Sequence, residues 1–465
     1  MYDIIVIGAG SGGLNIASFM NRVGFKVLLI DKTDRNIGGD CLNFGCVPSK
    51  ALIHVARMVK DGKRAQKFGV EQTGKVDLSK VMAYVNSKKE YIREHENAEW
   101  FRKQGMDVVL GEAKFVSKNT VSVDGKEYTA KRIVLATGSR PRVPSIPGLK
   151  NVEYVTNETI FDMKELPEHL VVLGAGPIGV ELGQAFLHLG SKVTMLVRGK
   201  DFLAKEQEDI SDVLLKRLEK EGMDIRFNTD TKEFIDGNTV IVEAEDKEEK
   251  LNFDMLLVSI GRQLNIEGLD LEKANIFVEK GKIIINEYLQ TTNKNVYVVG
   301  DVAGQHQFTH AAEVHAGLVL SNFFKPWPLK KKLNTDGMAW VTYTSPEIAT
   351  FGLQEKEIEK RGMVHEKLEY SFTHDDRAIT DSATDGKLLL FIAKGKILGG
   401  SMVAENAGEL YQELGLAQSA GISIKEIFGK VYPYPTASRV NKRIIAEHMA
   451  KKLTPFTKKV LKWLY

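Results

Sequence analysis

Cysteine is scarce in this chain: 465 residues contain only Cys41 and Cys46. A secreted protein of this size that relied on disulfides would carry more, so a reducing, cytoplasmic setting is expected. Long apolar runs are missing as well. None reaches the ~18 residues that a membrane span requires. The opening MYDIIVIGAG has no basic stretch and no cleavage site, which excludes a signal-peptide reading. An excess of one charge is also absent. Lys and Arg number 64 against 61 Asp and Glu, and a net charge of +3 is too small to indicate a nucleic-acid surface. What is present is an ordinary globular composition, in a chain too long for one hydrophobic core. Two to four domains are expected.

The first ordered pattern is strand, glycine turn, helix, strand, acid. Residues Tyr2 to Ile7 form an apolar β-run, Gly8, Gly10 and Gly13 follow, and a helix extends to about Val23. A second apolar run ends at Asp31. In this setting G-x-G-x-x-G marks a dinucleotide site. The glycines permit a tight turn and close approach to a pyrophosphate. The helix N-terminus supplies N–H donors, and Asp31 can accept from a ribose hydroxyl. The same grammar returns with a strand at Leu170–Leu173, glycines Gly174, Gly176 and Gly179, a helix to about Leu189, and a strand at Lys192–Val197. Two copies in the right context imply two nucleotide sites in an α/β fold with two Rossmann-like domains.

Between these units, Ser49–Lys67 and Leu78–Gln104 read as helices, and strands follow from Val108 to Leu135. Pro141, Pro144 and Pro147 with Gly148 make a stiff connector and a first boundary. The charge run Glu243–Lys250 reads as a solvated hairpin turn. Pro326 and Pro328 mark a boundary before a final α+β domain.

Cys41 and Cys46 lie in GGDCLNFGCVPSKAL, separated by four residues. A thiolate near a helix N-terminus is stabilised by the helix dipole, so redox chemistry is the leading reading. A zinc site needs four ligands, and His54 and other histidines show no regular ligand spacing. Metal or structural use is the remaining alternative.

At this point the chain resembles the flavin-dependent pyridine nucleotide–disulfide oxidoreductases, a family that includes dihydrolipoyl dehydrogenase, glutathione reductase and mercuric reductase. The resemblance rests on the cysteine segment, on Ala136-Thr137-Gly138-Ser139, on the Gly261-Arg262 pair closing its own stretch, and on NVYVVGDVAG with Asp301. The Phe308-Thr309-His310-Ala311 stretch matches the segment whose backbone approaches the flavin.

The resemblance implies FAD as cofactor and NADPH or NADH as co-substrate. Cys46 is implied as the thiolate against the flavin and Cys41 as the interchange thiol. Lys50 is implied to lie near the flavin and to pair with Glu181. The implied domains are 1–148 (FAD, with the cysteines), 149–268 (NAD(P)), 269–334 (completing the FAD site) and 335–452 (dimerisation). Residues 453–465 form a basic tail. The implied partners are a second copy of the chain and a small-molecule or protein electron acceptor.

Two features depart from common patterns. The second nucleotide unit has no carboxylate at the end of its second strand. Arg198 and Lys200 follow instead, which favours the 2′-phosphate of NADPH over NADH, although Asp201 and Gly179 do not add to that preference. In addition, the family's C-terminal His and Glu, its acid–base pair for thiol exchange, are replaced here by Tyr434 and Arg439. A tyrosine near its ordinary pKa of ~10 is a poor base at neutral pH.

Four readings follow from this: a flavoprotein disulfide reductase with an unidentified acceptor, a mercuric reductase-like metal-ion or quinone reductase, a dihydrolipoyl dehydrogenase-like enzyme with weakened thiol exchange, or a partner-binding flavoprotein with vestigial catalysis. The tail KKLTPFTKKVLKWLY places Phe456, Val460, Leu461, Trp463 and Leu464 roughly on one helical face. It is expected to dock on its own domain, with weak membrane-surface contact as the alternative.

Overall fold

A computed structural model describes residues 1–465. The chain divides into two compact units. One comprises 1–174, 185–196 and 229–333, the other 175–184, 197–228 and 334–465.

The first unit opens with β1 (Tyr2–Ile7), α1 (Ser11–Arg22) and β2 (Val27–Asp31). The short helix α2 (Gly39–Asn43) leads into α3 (Cys46–Ala65). Next come α4 (Leu78–Arg93), α5 (Ala98–Lys103) and β3 (Asp107–Leu110). Strands β4 (Ala113–Ser117), β5 (Thr120–Val123) and β6 (Lys126–Leu135) complete the segment. The order β3-β2-β1-β6 is parallel, and Val296–Val298 pairs with the other edge of β6. Such a sheet is covered on both faces, so its strands read as continuous apolar runs, and Ile4 to Val6 and Leu28 to Leu29 are fully buried. The long strand β6 serves two sheets: Lys126–Thr129 pairs antiparallel with β5, and its apolar end runs parallel to β1.

The second copy of the motif follows in the same unit. Lys192–Leu196, His169–Leu173, Met255–Val258 and Tyr154–Val155 lie side by side in that order, all parallel. The second unit contains a five-stranded antiparallel sheet of Ala339–Thr342, Glu347–Gly352, Lys396–Ala404, Lys387–Ala393 and Glu366–Ser371. Its apolar face packs on the helices Gln412–Ala420 and Arg439–Lys451. The α/β class and the C-terminal α+β domain are thus as expected.

Four local expectations need correction. Helix α3 begins at Cys46, not Ser49, because Pro48 falls in the first turn, where its missing N–H is not needed. The region expected as one helix over Leu78–Gln104 is two, since Asn97 accepts from Trp100 N and caps a new helix. The charge run 243–250 does form the solvated hairpin expected, but most of it is strand rather than turn. Only Glu245 and Asp246 turn, both at positive φ, in a two-residue hairpin loop. The tail does not dock. Pro455 cannot continue the preceding helix, Thr454 caps a separate helix Pro455–Leu464, and none of its residues is buried.

Candidate functional site

The first glycine turn is built by contact rather than by flexibility. A side-chain carbon on Gly8 would lie 2.3 Å from the Ala136 carbonyl oxygen, and one on Gly13 would lie 2.0 Å from that of Gly8. These residues let α1 press against the ends of β1 and β6. Gly10, the N-cap, provides no side-chain acceptor, so the first-turn N–H groups of α1 remain available to an anion. Asp31 closes β2, accepting from Ala9 N at 2.6 Å and Lys32 N at 2.7 Å. Burial raises its pKa above the usual carboxylate range, while those N–H groups oppose the shift. Two further glycines that sequence reasoning passed over belong to the same cradle. A side-chain carbon on Gly39 would lie 2.6 Å from Gly10 Cα, and one on Gly12 would lie 3.0 Å from a Val299 methyl. The donor set and the close backbone approach fit a bound dinucleotide.

Four segments far apart in sequence meet beside this cradle. The largely buried Arg262 guanidinium ties them together. Its Nε donates to Ser139 Oγ at 2.7 Å, and its Nη2 donates to Ser139 O and pairs with Asp40, each at 3.0 Å. Ser139 Oγ donates to Asp301 at 2.5 Å, and Arg262 Nε lies 3.6 Å from the same carboxylate. Burial raises the pKa of Asp301, opposed by Ser139 and Arg262. Thr137 Oγ1 donates to Asn265 O at 2.6 Å, and Asn265 Nδ2 donates back to Thr137 O at 2.9 Å. Gly138 takes a positive φ of 69° between them.

Cys41 lies in α2 and Cys46 is the first residue of α3. Both are free thiols, and they are hydrogen-bonded to each other. The Cys46 pKa is pulled down to about 6, first by the hydrogen bond from Cys41, then by Thr309 and the positive charge of Lys50, against burial and Asp40. Thr309 Oγ1 stands 3.4 Å from Cys46 Sγ. The Cys41 pKa moves the other way, raised by its role as donor to Cys46, by burial and by the Cys46 charge. One thiol therefore holds the proton and the other the charge. Lys50 Nζ donates to Ser49 Oγ at 3.2 Å.

The loop is fixed by Asn43, which sequence reasoning quoted but gave no role. It is buried, donates to Gly39 O at 2.9 Å and Ile37 O at 3.2 Å, and accepts from Arg93 Nη2 at 2.5 Å. His310 is exposed and stacks on Phe308, and Ala311 is fully buried.

The second motif is placed as follows. Gly174 takes a φ of 99°, where a side-chain carbon would meet Ser259 O at 2.9 Å. Gly176 has open space around it, Gly179 is buried, and Gly261 takes a φ of 125°. Arg198 and Lys200 are exposed. Glu181 is buried and accepts from Tyr343 N at 2.9 Å. Tyr434 is exposed and lies under the Arg439 guanidinium, 5.2 Å from the ring centre.

Two glycine-turn nucleotide units and a polarised thiol pair define a class: nucleotide-dependent redox enzymes that work through a dithiol. The comparisons agree. Residues 2–316 match the pyridine nucleotide-disulphide oxidoreductase family and residues 338–444 match that family's dimerisation domain, so the chain belongs to this family. It is 31% identical to mercuric reductase of Staphylococcus aureus, over 94% of this chain and 80% of that protein. It is 32% identical to dihydrolipoyl dehydrogenase of Mycoplasma pneumoniae, over 94% of this chain and 96% of that one. The HOCl-induced flavoprotein disulfide reductase RclA of Escherichia coli matches with a TM-score of 0.84 and 26% identity, covering 96% of this chain and 99% of that one. The chain is therefore a flavoenzyme acting on sulfur groups, with FAD as cofactor and NAD(P)H as co-substrate. The matched dimerisation domain supports a homodimer.

Proposed function

We propose that this enzyme takes electrons from NADPH and delivers them through Cys46 and Cys41 to a soft metal ion. Bound FAD supplies the two-electron relay between nicotinamide and thiol. Gly8, Gly10, Gly13, Asp31, Ala136 to Gly138, Asp301, His310 and Ala311 would hold it, and Lys50 would place a positive charge beside it. Gly174, Gly176, Gly179, Gly261 and Arg262 would serve the nicotinamide nucleotide, and Arg198 with Lys200 would meet its 2′-phosphate.

The observation that carries the acceptor class is the protonation of Cys41. Its pKa is raised, and Tyr434 is no base to relieve it. Attack on an organic disulfide requires the Cys41 thiolate. Its absence costs about 10²–10⁴ in rate when no general base assists. A soft cation needs no base, because coordination itself displaces the thiol proton. Mercuric reductase among the relatives and the Cu(II) complex of RclA support the same class.

The test is reoxidation of the NADPH-reduced enzyme by Cu(II), Hg(II), lipoamide and glutathione disulfide, with Cys41→Ser as control for direct reaction. Fast, Cys41-dependent reoxidation by the ions and slow turnover of both disulfides is the expected result. Disulfide turnover matching that of the ions would refute the acceptor assignment and leave the thiol relay standing.

A further inference from the structure

The helix Pro455–Leu464 takes no part in the chemistry above, and the family's dimerisation domain ends before it, at residue 444. Thr454 caps it by accepting from Thr457 N at 3.1 Å. At 3.6 residues per turn, Phe456, Val460, Trp463 and Leu464 fall within an arc of about 100°. Lys458, Lys459 and Lys462 fall within a similar arc of about 100° on the other side. The apolar arc is uncovered: Phe456 is 76% exposed, Trp463 83% and Leu464 67%. From Lys451 to Tyr465 there are five lysines and no acidic residue.

We propose that this helix lies flat on an anionic lipid surface, with its apolar arc below the headgroups and its lysines among the phosphates. The separation of the two arcs, with Trp463 on the apolar one, is the pattern of an interfacial helix. Charge decides against the main rival. A second copy of this segment would bring five more lysines and repel it, whereas anionic headgroups neutralise them.

The test is co-sedimentation of the full-length flavoprotein with vesicles of phosphatidylcholine alone and of phosphatidylcholine mixed with phosphatidylglycerol. Binding to the anionic vesicles only, weakened by salt, is expected. Each lysine near such a surface contributes about fivefold, so the triple change of Lys458, Lys459 and Lys462 to Gln should weaken binding about 100-fold. Trp463→Ala with Leu464→Ala should abolish it, with an unchanged thermal midpoint and unchanged NADPH oxidation. No binding to anionic vesicles overturns the proposal, as does binding that survives the Trp463 and Leu464 changes. Loss of the dimer on gel filtration in those variants, without vesicle binding by the parent, would assign the helix to a second copy instead.

Discussion

The two cysteines are chemically unequal because their surroundings are. Cys46 gains from a hydrogen bond donated by Cys41, from Thr309 and from Lys50, and these outweigh burial. Its thiolate should persist well below the ordinary thiol range and be lost only as pH falls through about 6. Alkylation of Cys46 by iodoacetamide in the reduced protein, followed by peptide mass, should show a midpoint near that pH. A midpoint near 9, the value for an unperturbed thiol, would remove the polarised-pair reading. Thr309→Val deletes one stabilising contact, so the midpoint should rise. Cys46→Ser should also abolish the long-wavelength absorbance expected when NADPH reduces the enzyme anaerobically. Asn43 acts on position rather than on charge. Asn43→Ala leaves the Ile37 and Gly39 carbonyls and the Arg93 guanidinium without their buried partner, at a cost of about 1–3 kcal/mol in denaturant unfolding.

At the scale of elements, what was legible in sequence was what is local. The strand–glycine–helix grammar predicted β1, α1 and β2 because a tight turn must be made by neighbouring residues. Gly12 and Gly39 carried no such signal, since the groups that exclude a side chain there, Val299 and Gly10, come from other segments. Helix α3 starts at Cys46 rather than Ser49, because Pro48 is tolerated in a first turn. The shift sharpens the sequence reading: Cys46 is not merely near the positive end of the helix but is its first residue. Gly13→Ala tests the contact argument. Its side chain would meet Gly8 O at 2.0 Å, so α1 must shift away from β1. The variant should purify without flavin and lose about 1–3 kcal/mol of stability, as overpacked sites do. Flavin retained at the parent level would mean that the turn has slack the geometry does not show.

At the scale of the molecule, the proposed function assigns nucleotide inlet and thiol outlet to separate sets of residues. Sequence resemblance supplied the scattered motifs around Asp40, Ser139, Arg262 and Asp301. It could not show that one guanidinium joins all four, because bonds between distant segments leave no spacing to read. The inlet and outlet should also fail independently. Replacing Arg198 and Lys200 by Gln should raise KM for NADPH and move the NADPH-to-NADH preference by about tenfold or more, since a charged contact to phosphate contributes about 1.5–3 kcal/mol. The pH midpoint of Cys46 alkylation should not move. Conversely, Tyr434→His with Arg439→Glu restores a base at the outlet. It should raise disulfide turnover by up to about 10²-fold, the lower end of what general-base catalysis supplies, without changing the rate at which NADPH reduces the enzyme. Rapid-mixing absorbance separates the two half-reactions. If the outlet pair altered the reductive half as strongly as the oxidative half, Tyr434 would belong to the nucleotide side, and the raised pKa of Cys41 would no longer explain the choice of acceptor.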